Sequence, residues 1–364
     1  MISFGLSEEQ ELIRDTLREF SADVLRPIGR ECDETSSIPE DVLQTAWELG
    51  LTSTQIPAEY GGGGEARAMV TNSIVLEELG YGDAALALAL AAPSQFANAI
   101  LDHGTDEQKK QYLPLFCGEK FHMASLALLE PGPVAEPMRP RTLAEPKGDG
   151  WVLSGQKSFV VLGDQASHFL IFARNSDRVD AFIVARDAEG LSISEPELNM
   201  GLKGLTTVGL ELERVEVSAA DRLGGESGCD IAQLVNSSRV ALCSVLLGLS
   251  RAVLDFCIPY SKDRVAFDEP ISKKQSIAFR LAEMHIECEA MRNLIWQAAS
   301  YLEQGQKADA QARYARTYVN EKSLWIADNG IQVLGGHGFI REHPVEMWFR
   351  HARTLSVLEG TAGL

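Results

Sequence analysis

An α+β multidomain chain is encoded here, helical first, then β, then helical again, and three observations say so. Apolar residues recur at helical spacing through the first third. From about Met123 to Leu223 the text turns to short β-like runs separated by Gly, Asp and Pro clusters. The last third returns to long segments of helical periodicity, at a length that suits a bundle.

Taken in order, Ser7 and Gln10 form a capping box, the Ser hydroxyl satisfying an orphan N–H of the first turn. Leu12, Ile13, Leu17, Phe20 and Val24 then make one apolar helix face. Gly61–Gly64 break the helices with a flexible loop. Ala84–Ala92 is the most apolar stretch and reads as a buried helix, too short to span a membrane. Thr105 and Gln108 repeat the capping-box pattern before Tyr112 and Leu113. In the middle third, GDGWVLSG reads as a turn into a strand, and HFLIFAR, DAFIVARD and GLELERVEV read as strands. No long helical segment is interleaved, so an antiparallel β-domain is expected. Asp230–Ser261, Lys273–Glu303 and Lys307–Leu334 are the long helices of the last third. The expected domains are 1–122, 123–226 and 227–364.

Composition narrows the function. There are 33 Lys and Arg against 52 Asp and Glu, a net charge of −19 that repels phosphate backbones, so nucleic acid is not an expected partner. The six cysteines show no CxxC pair and no zinc-finger spacing to histidine, which points to reduced thiols and no metal site. The N-terminus lacks a basic region followed by an apolar run, and a cytoplasmic protein is expected.

Gly61, Gly63 and Ala66 fit the loose G-x-G-x-x-A dinucleotide pattern. A Rossmann site needs a buried strand before the first Gly, and the preceding QIPAEY carries Pro57 and Glu59, which argues against one. Gly335, Gly336 and Gly338 follow Ile331-Gln332-Val333-Leu334. Two readings stay open for them, a helix C-cap with its turn or a close backbone approach to a ligand.

Eight segments together resemble the acyl-CoA dehydrogenase family: GLSEEQELIRDTLREF, ELGLTSTQIPAEYGGGG, VLEELG, HGTDEQKKQYLPLFCGE, GLKGLTTVGLELERVEV, DRLGGESG, QVLGGHGF and LEGT. They occur in the family's order and span nearly the whole chain. The resemblance implies an N-terminal helical domain, a middle β-domain and a C-terminal four-helix domain. It implies FAD bound in extended form outside any Rossmann fold, an acyl-CoA substrate, and an electron-transfer flavoprotein as acceptor.

Removing hydrogens from the α and β carbons of a thioester needs a base, a hydride acceptor and hydrogen bonds to the thioester oxygen. By resemblance Glu359 of LEGT is the base, with its own N–H on the thioester oxygen and Gly360 beside it at the substrate. Some relatives carry the base on the helix that here reads LVNSSRVAL, where Ser238 stands and cannot act as a carboxylate. Arg239 resembles an arginine near the CoA end of the substrate, and on its own is a helix-surface cation.

The resemblance also implies that each flavin site is built from two subunits. One brings Arg264, Phe267, Gln275, Gln332, Gly335 and Gly336 to the pyrophosphate and adenine side, an Arg suiting pyrophosphate through its planar fork. Ala266 and Asp268 depart from that segment's usual Gln and Gly. The other half departs further. Where the family has T-E-P-G-A-G-S-D, this chain has Leu129-Glu130-Pro131-Gly132-Pro133-Val134-Ala135-Glu136, and Pro133 has no N–H to donate. Where the family has K-x-[WF]-I-T-N-G, it has Lys157-Ser158-Phe159-Val160-Val161-Leu162-Gly163. Phe159 keeps the aromatic beside the flavin, while Leu129, Ala135, Val161 and Leu162 replace polar side chains. Each lost hydrogen bond costs on the order of 1 kcal/mol.

Three readings follow: a self-sufficient homo-oligomeric (tetrameric) acyl-CoA dehydrogenase; one subunit of a hetero-oligomer whose partner supplies the missing hydroxyls, as in relatives that handle steroid-CoA side chains; or a non-catalytic binding protein on the same fold. Fatty acid or steroid side-chain catabolism is the expected setting. Direct oxidation by oxygen remains a neighbouring chemistry. The small residues of Ala84–Ala92 suggest room for a branched or cyclic acyl group.

Overall fold

The computed structural model describes residues 5–132 and 136–364. The N-terminal helices are α1 (Glu8–Phe20), α2 (Arg26–Thr35), α3 (Glu40–Glu48), α4 (Met69–Gly82), α5 (Ala84–His103) and α6 (Asp106–Tyr112). Both expected capping boxes form, Ser7 with Gln10 and Thr105 with Gln108. The apolar face expected of α1 is only partly used. Leu17 is buried, but Leu12 is 70% exposed at the mouth of a groove of about 320 Å³ between α1, α4, α5 and Gly363-Leu364. A π turn over Ser21–Leu25 joins α1 to α2 and rotates the stripe carrying Val24.

Seven strands make one sheet: β1 (Ser125–Ala127), β2 (Leu143–Lys147), β3 (Gly150–Val161), β4 (His168–Asn175), β5 (Arg178–Ala185), β6 (Leu191–Ile193) and β7 (Thr207–Val217). Most pairings are antiparallel, as the sequence suggests, and the β2–β3 turn falls at Lys147–Gly150. β1 differs, because it runs parallel to β4, and β2 meets β4 in parallel at Leu143 and Arg174. The β2–β3 hairpin intervenes between β1 and β4 and serves as the crossover that a helix more often provides. β3 and β7 pair with two register breaks, and the second, between Lys157 and Val160, holds Phe159.

Helices α7 (Ile231–Asp263), α8 (Gln275–Glu303), α9 (Asp309–Leu334) and α10 (Val345–Leu355) form the C-terminal bundle, with a small hairpin of β8 (Val265–Ala266) and β9 (Glu269–Pro270) between α7 and α8. Asp230 caps α7 through the Gln233 N–H. Helices α5 and α7 are long and apolar enough to cross a membrane by composition. Their most apolar windows are 83% and 78% buried against the rest of the protein, so they serve as core helices.

α4 and α7 cross at two glycines. A Cβ on Gly248 would lie 2.0 Å from the Glu77 carbonyl, and one on Gly80 would lie 2.5 Å from the Val245 carbonyl. A mid-helix Gly to Ala change ordinarily stabilises by up to about 1 kcal/mol. Here the backbone contact reverses the sign. Gly248→Ala is expected to cost about 1–3 kcal/mol, read as a lowered thermal unfolding midpoint; a raised midpoint would show that the crossing is not close.

Candidate functional site

α7 is the rail on which the site is laid. Two successive serines hold the segment after α10 against it: the Gly360 N–H donates to Ser238 Oγ at 2.9 Å, and the Leu364 N–H to Ser237 Oγ at 3.0 Å. Ser238, which cannot act as a carboxylate base, thus anchors the loop that carries Glu359. Gly360 has φ +71, and a Cβ there would strike Leu128 at 2.5 Å. This turn therefore needs glycine twice over. It presses the loop against the Leu128-Leu129 segment.

Glu359 sits in the crevice so formed. Arg239 Nε bonds its carboxylate at 3.1 Å to Oε2 and 3.4 Å to Oε1, and Arg316 Nε lies 3.7 Å from Oε1. Arg239 is thereby drawn into the site and is no free surface cation. The Glu359 N–H donates to no acceptor among the described residues.

On the β side, the Ser158 N–H bonds the Leu129 carbonyl at 3.0 Å, tying together the two segments expected beside a flavin. Phe159 has φ +53, a left-handed conformation that costs a bulky residue free energy. It is held by the Glu197 carboxylate, which accepts the Phe159 N–H at 3.1 and 3.2 Å and the Thr207 hydroxyl at 2.7 Å. Leu129, Val161 and Leu162 are 7%, 3% and 2% exposed and belong to the core. Pro133 and Ala135 lie outside the described residues.

Beneath this face, Lys157 Nζ reaches Glu130 at 2.9 Å. Glu130 also accepts the Thr142 hydroxyl and the N–H groups of Arg141 and Thr142. Burial pushes the Glu130 carboxyl up, but the Lys157 charge and these bonds outweigh it and hold the group at about 2. Burial draws the enclosed Lys157 ammonium down to about 8 against the pull of Glu130.

The remaining expected residues gather elsewhere. Arg264 follows the end of α7, its N–H on the Tyr260 carbonyl at 2.8 Å. Phe267 and Asp268 form the tip of the β8–β9 hairpin at φ +57 and +67, and Phe267 is 88% exposed. Gln275 opens α8, and Gln332 lies exposed on the last turn of α9. Gly335 ends α9 at φ +60, and a Cβ at Gly335 or Gly336 would meet nothing. The C-cap reading of Gly335 is therefore correct, and the open space beside both glycines leaves room for a ligand as well. Tyr260 joins this group by bonding His337 Nδ1 at 2.9 Å.

Arg239 and Arg264 are 25 residues apart along α7, roughly 37 Å at helical rise. The structure thus divides the candidate residues into two groups at opposite ends of one helix. The far group, with its guanidinium, carboxamide and unobstructed glycine backbone, fits the pyrophosphate side of an extended dinucleotide. The near group offers the aromatic of Phe159 among apolar neighbours and the carboxylate of Glu359.

Sequence reasoning overlooked Glu197 and Arg316. Nothing local marks Glu197. Arg316 had a signal, a lone charge on the helix stripe of Ala312, Ala315 and Val319, all of which are buried.

Removing the Glu130 carboxylate strands a buried ammonium. Glu130→Gln is expected to cost about 3–5 kcal/mol at neutral pH. The folded carboxyl lies below its ordinary 4.5, so its contribution is complete above that pH and is lost as pH falls through about 2. Urea unfolding of both proteins across pH 2–7 measures this, and their difference should shrink towards the acid end.

Three family models match along the chain: the acyl-CoA dehydrogenase N-terminal domain over residues 7–120, the middle domain over 125–215 and the C-terminal domain over 227–364. The 3-(aryl)acrylate reductase of Clostridium sporogenes is 32% identical over 366 residues, covering 98% of this chain and 96% of that protein. The cyclohex-1-ene-1-carbonyl-CoA dehydrogenase of Geobacter metallireducens is 32% identical over 364 residues, covering 98% and 95%. The solved butyryl-CoA dehydrogenase of Megasphaera elsdenii superposes with a TM-score of 0.88 at 28% identity, covering 99% of this chain and 96% of that one. With all three domains matched in order on the three-part fold, the chain belongs to the acyl-CoA dehydrogenase family and is an FAD-dependent oxidoreductase.

Proposed function

We propose that this protein dehydrogenates an acyl-CoA thioester across its α and β carbons, with Glu359 taking the α proton. The observation that carries this is the placement of the Glu359 carboxylate. It lies on a loop pinned to Ser237 and Ser238 and set at Gly360 against Leu128, with its own N–H free to donate. The C–H bond breaks towards the carboxylate, and the electron pair passes into the thioester, whose oxygen takes the Glu359 N–H. Arg239 holds the carboxylate from the CoA side, and Gly360 gives the loop its turn. FAD, when bound, supplies the acceptor for the β hydride, and an electron-transfer flavoprotein then takes the electrons.

In this reading each flavin site takes Glu359 and Phe159 from one subunit. Arg264, Phe267, Gln275, Gln332, Gly335 and Gly336 come from another, because one chain holds them roughly 37 Å away. A single chain is then incomplete and the protein is an oligomer. The packing of Leu129, Val161 and Leu162 into the core favours a second reading, in which a related chain with polar side chains at those positions supplies the flavin-edge half. The residues of Ala84–Ala92 are 0–5% exposed, packed within α5 and its neighbours.

Exchange of the α hydrogens of an acyl-CoA in D2O, followed by mass spectrometry, isolates proton removal. Glu359→Gln is expected to slow it by roughly 10²–10⁴-fold, and unchanged exchange would remove Glu359 as the base. Co-assembling Glu359→Gln chains with Arg264→Ala chains, each inactive alone, should restore roughly a quarter of the sites by random pairing if like chains share the site. No recovery, together with a colourless protein after purification with FAD, would point to the unlike partner.

A further inference from the structure

We propose that Arg316 is the positioning residue of the base, fixing both the path of the Glu359 loop and the orientation of its carboxylate; this deepens the reading of Glu359 given above and rests on it. Arg316 stands in the middle of α9, 5% exposed, with Ala312, Ala315 and Val319 fully buried around it. A guanidinium cannot shed its proton, so burying one is unfavourable unless acceptors and a counter-charge meet it. Those it finds all lie in one five-residue stretch. Its Nη2 donates to the Leu355 carbonyl at 2.8 Å and also to the Leu358 carbonyl. Its Nε lies 3.7 Å from Glu359 Oε1, the one carboxylate within ion-pair distance among the described residues. Nε and Nη1 have no hydrogen-bond partner there. One turn further along α9, Asn320 Nδ2 donates to the Ser356 carbonyl at 3.1 Å.

The arrangement has a consequence for the reaction. The last residue of α10, the residue before the base and the base itself are gathered by one rigid planar group. The carboxylate is held from two sides: Arg239 Nε bonds Oε2 at 3.1 Å and Oε1 at 3.4 Å, and Arg316 Nε faces Oε1 at 3.7 Å. A side chain with several rotatable bonds is thereby held to one orientation, which is what proton removal from a particular carbon needs. The forked guanidinium suits this task because one arm can serve the carbonyls while another faces the carboxylate. A lysine has a single point of charge and cannot do both. Ser237 and Ser238 reach the loop's backbone only and Arg239 reaches only the carboxylate, whereas Arg316 meets the Leu355 and Leu358 carbonyls and faces the carboxylate as well.

The test uses the FAD-loaded full chain with Arg316→Met and Arg316→Lys. Exchange of the α hydrogens in D2O is measured at saturating acyl-CoA, with KM from its concentration dependence. Arg316→Met should lower the saturated rate by roughly a hundredfold with KM little changed, and Arg316→Lys should recover part of it. A stability cycle supplies a readout that does not depend on turnover. Glu359→Gln should lower the unfolding midpoint in the native background, by leaving Arg316 without its counter-charge, and should lower it much less in the Arg316→Met background. Wild-type exchange in Arg316→Met, or additive midpoints in the cycle, overturns the proposal. If Arg316→Met does not fold, Arg316→Lys carries the test, and a wild-type saturated rate in it counts against the proposal. Retention of exchange by Glu359→Gln would instead defeat the assignment of the base, while the stability cycle still reports whether residues 316 and 359 are coupled.

Discussion

The hold of α7 on the loop after α10 is the constraint from which the rest of the site follows. Two hydroxyls on adjacent residues, Ser237 and Ser238, take the backbone of Leu364 and Gly360, and the left-handed turn at Gly360 is tight against Leu128. That fixes Glu359 against the β-domain and couples the bundle to the sheet. The same helix runs on to deliver Arg264 and the Phe267 hairpin far from Glu359. The 33 residues of α7 keep the two groups it carries far apart. In the proposed reading, dependence on a second chain follows from the length of α7, before any question of which chain that is.

Much of this fold is legible in the residues, because the signals for it are local. Capping boxes at Ser7 and Thr105 need only four residues each, and the long helices end within about two residues of where periodicity stops. The parallel pairing of β1 with β4 is not legible, since it joins Ser125 to Phe169 across a whole hairpin and no local pattern encodes partner choice. The candidate site divides the same way. Glu359, Phe159 and the Gln332–Gly336 segment are visible as motifs. Glu197 acts on Phe159 from 38 residues away, and Arg316 acts on Glu359 from 43 residues away, so their roles emerge only when the chain is folded. The rotation of the α1 face at Ser21–Leu25 is likewise hidden, because one inserted π turn leaves composition unchanged.

The apolar flavin-edge residues take on a different meaning once their burial is known. Val161 and Leu162 are not polar positions left vacant, since both are in the core and the strand around them keeps its pairing to β7. The left-handed Leu162 gives its N–H to the Thr206 carbonyl, and the Val161 carbonyl takes the Ser125 hydroxyl. The backbone there is satisfied by the protein itself. If these two positions face a flavin as the family resemblance implies, two side-chain hydrogen bonds of about 0.5–1.5 kcal/mol each are forgone, about one to two orders of magnitude in affinity.

The same exchange strengthens the unliganded protein. Burying a Val or Leu side chain stabilises a fold by about 1.5–3 kcal/mol, whereas a Thr or Asn hydroxyl or amide turned inward without its ligand would be an unpaired polar group in the core. This segment therefore folds without relying on the flavin to complete its hydrogen bonds. Where the fold does retain buried charge, it is paired internally: Glu130 holds Lys157, and Glu359 stands between Arg239 and Arg316. In the proposed reading, stability and cofactor affinity are thus set by different residues in this chain. In that reading, polar recognition of the dinucleotide falls to the Arg264–Gly336 end, where Gln332 is exposed and the backbone of Gly335 and Gly336 is open.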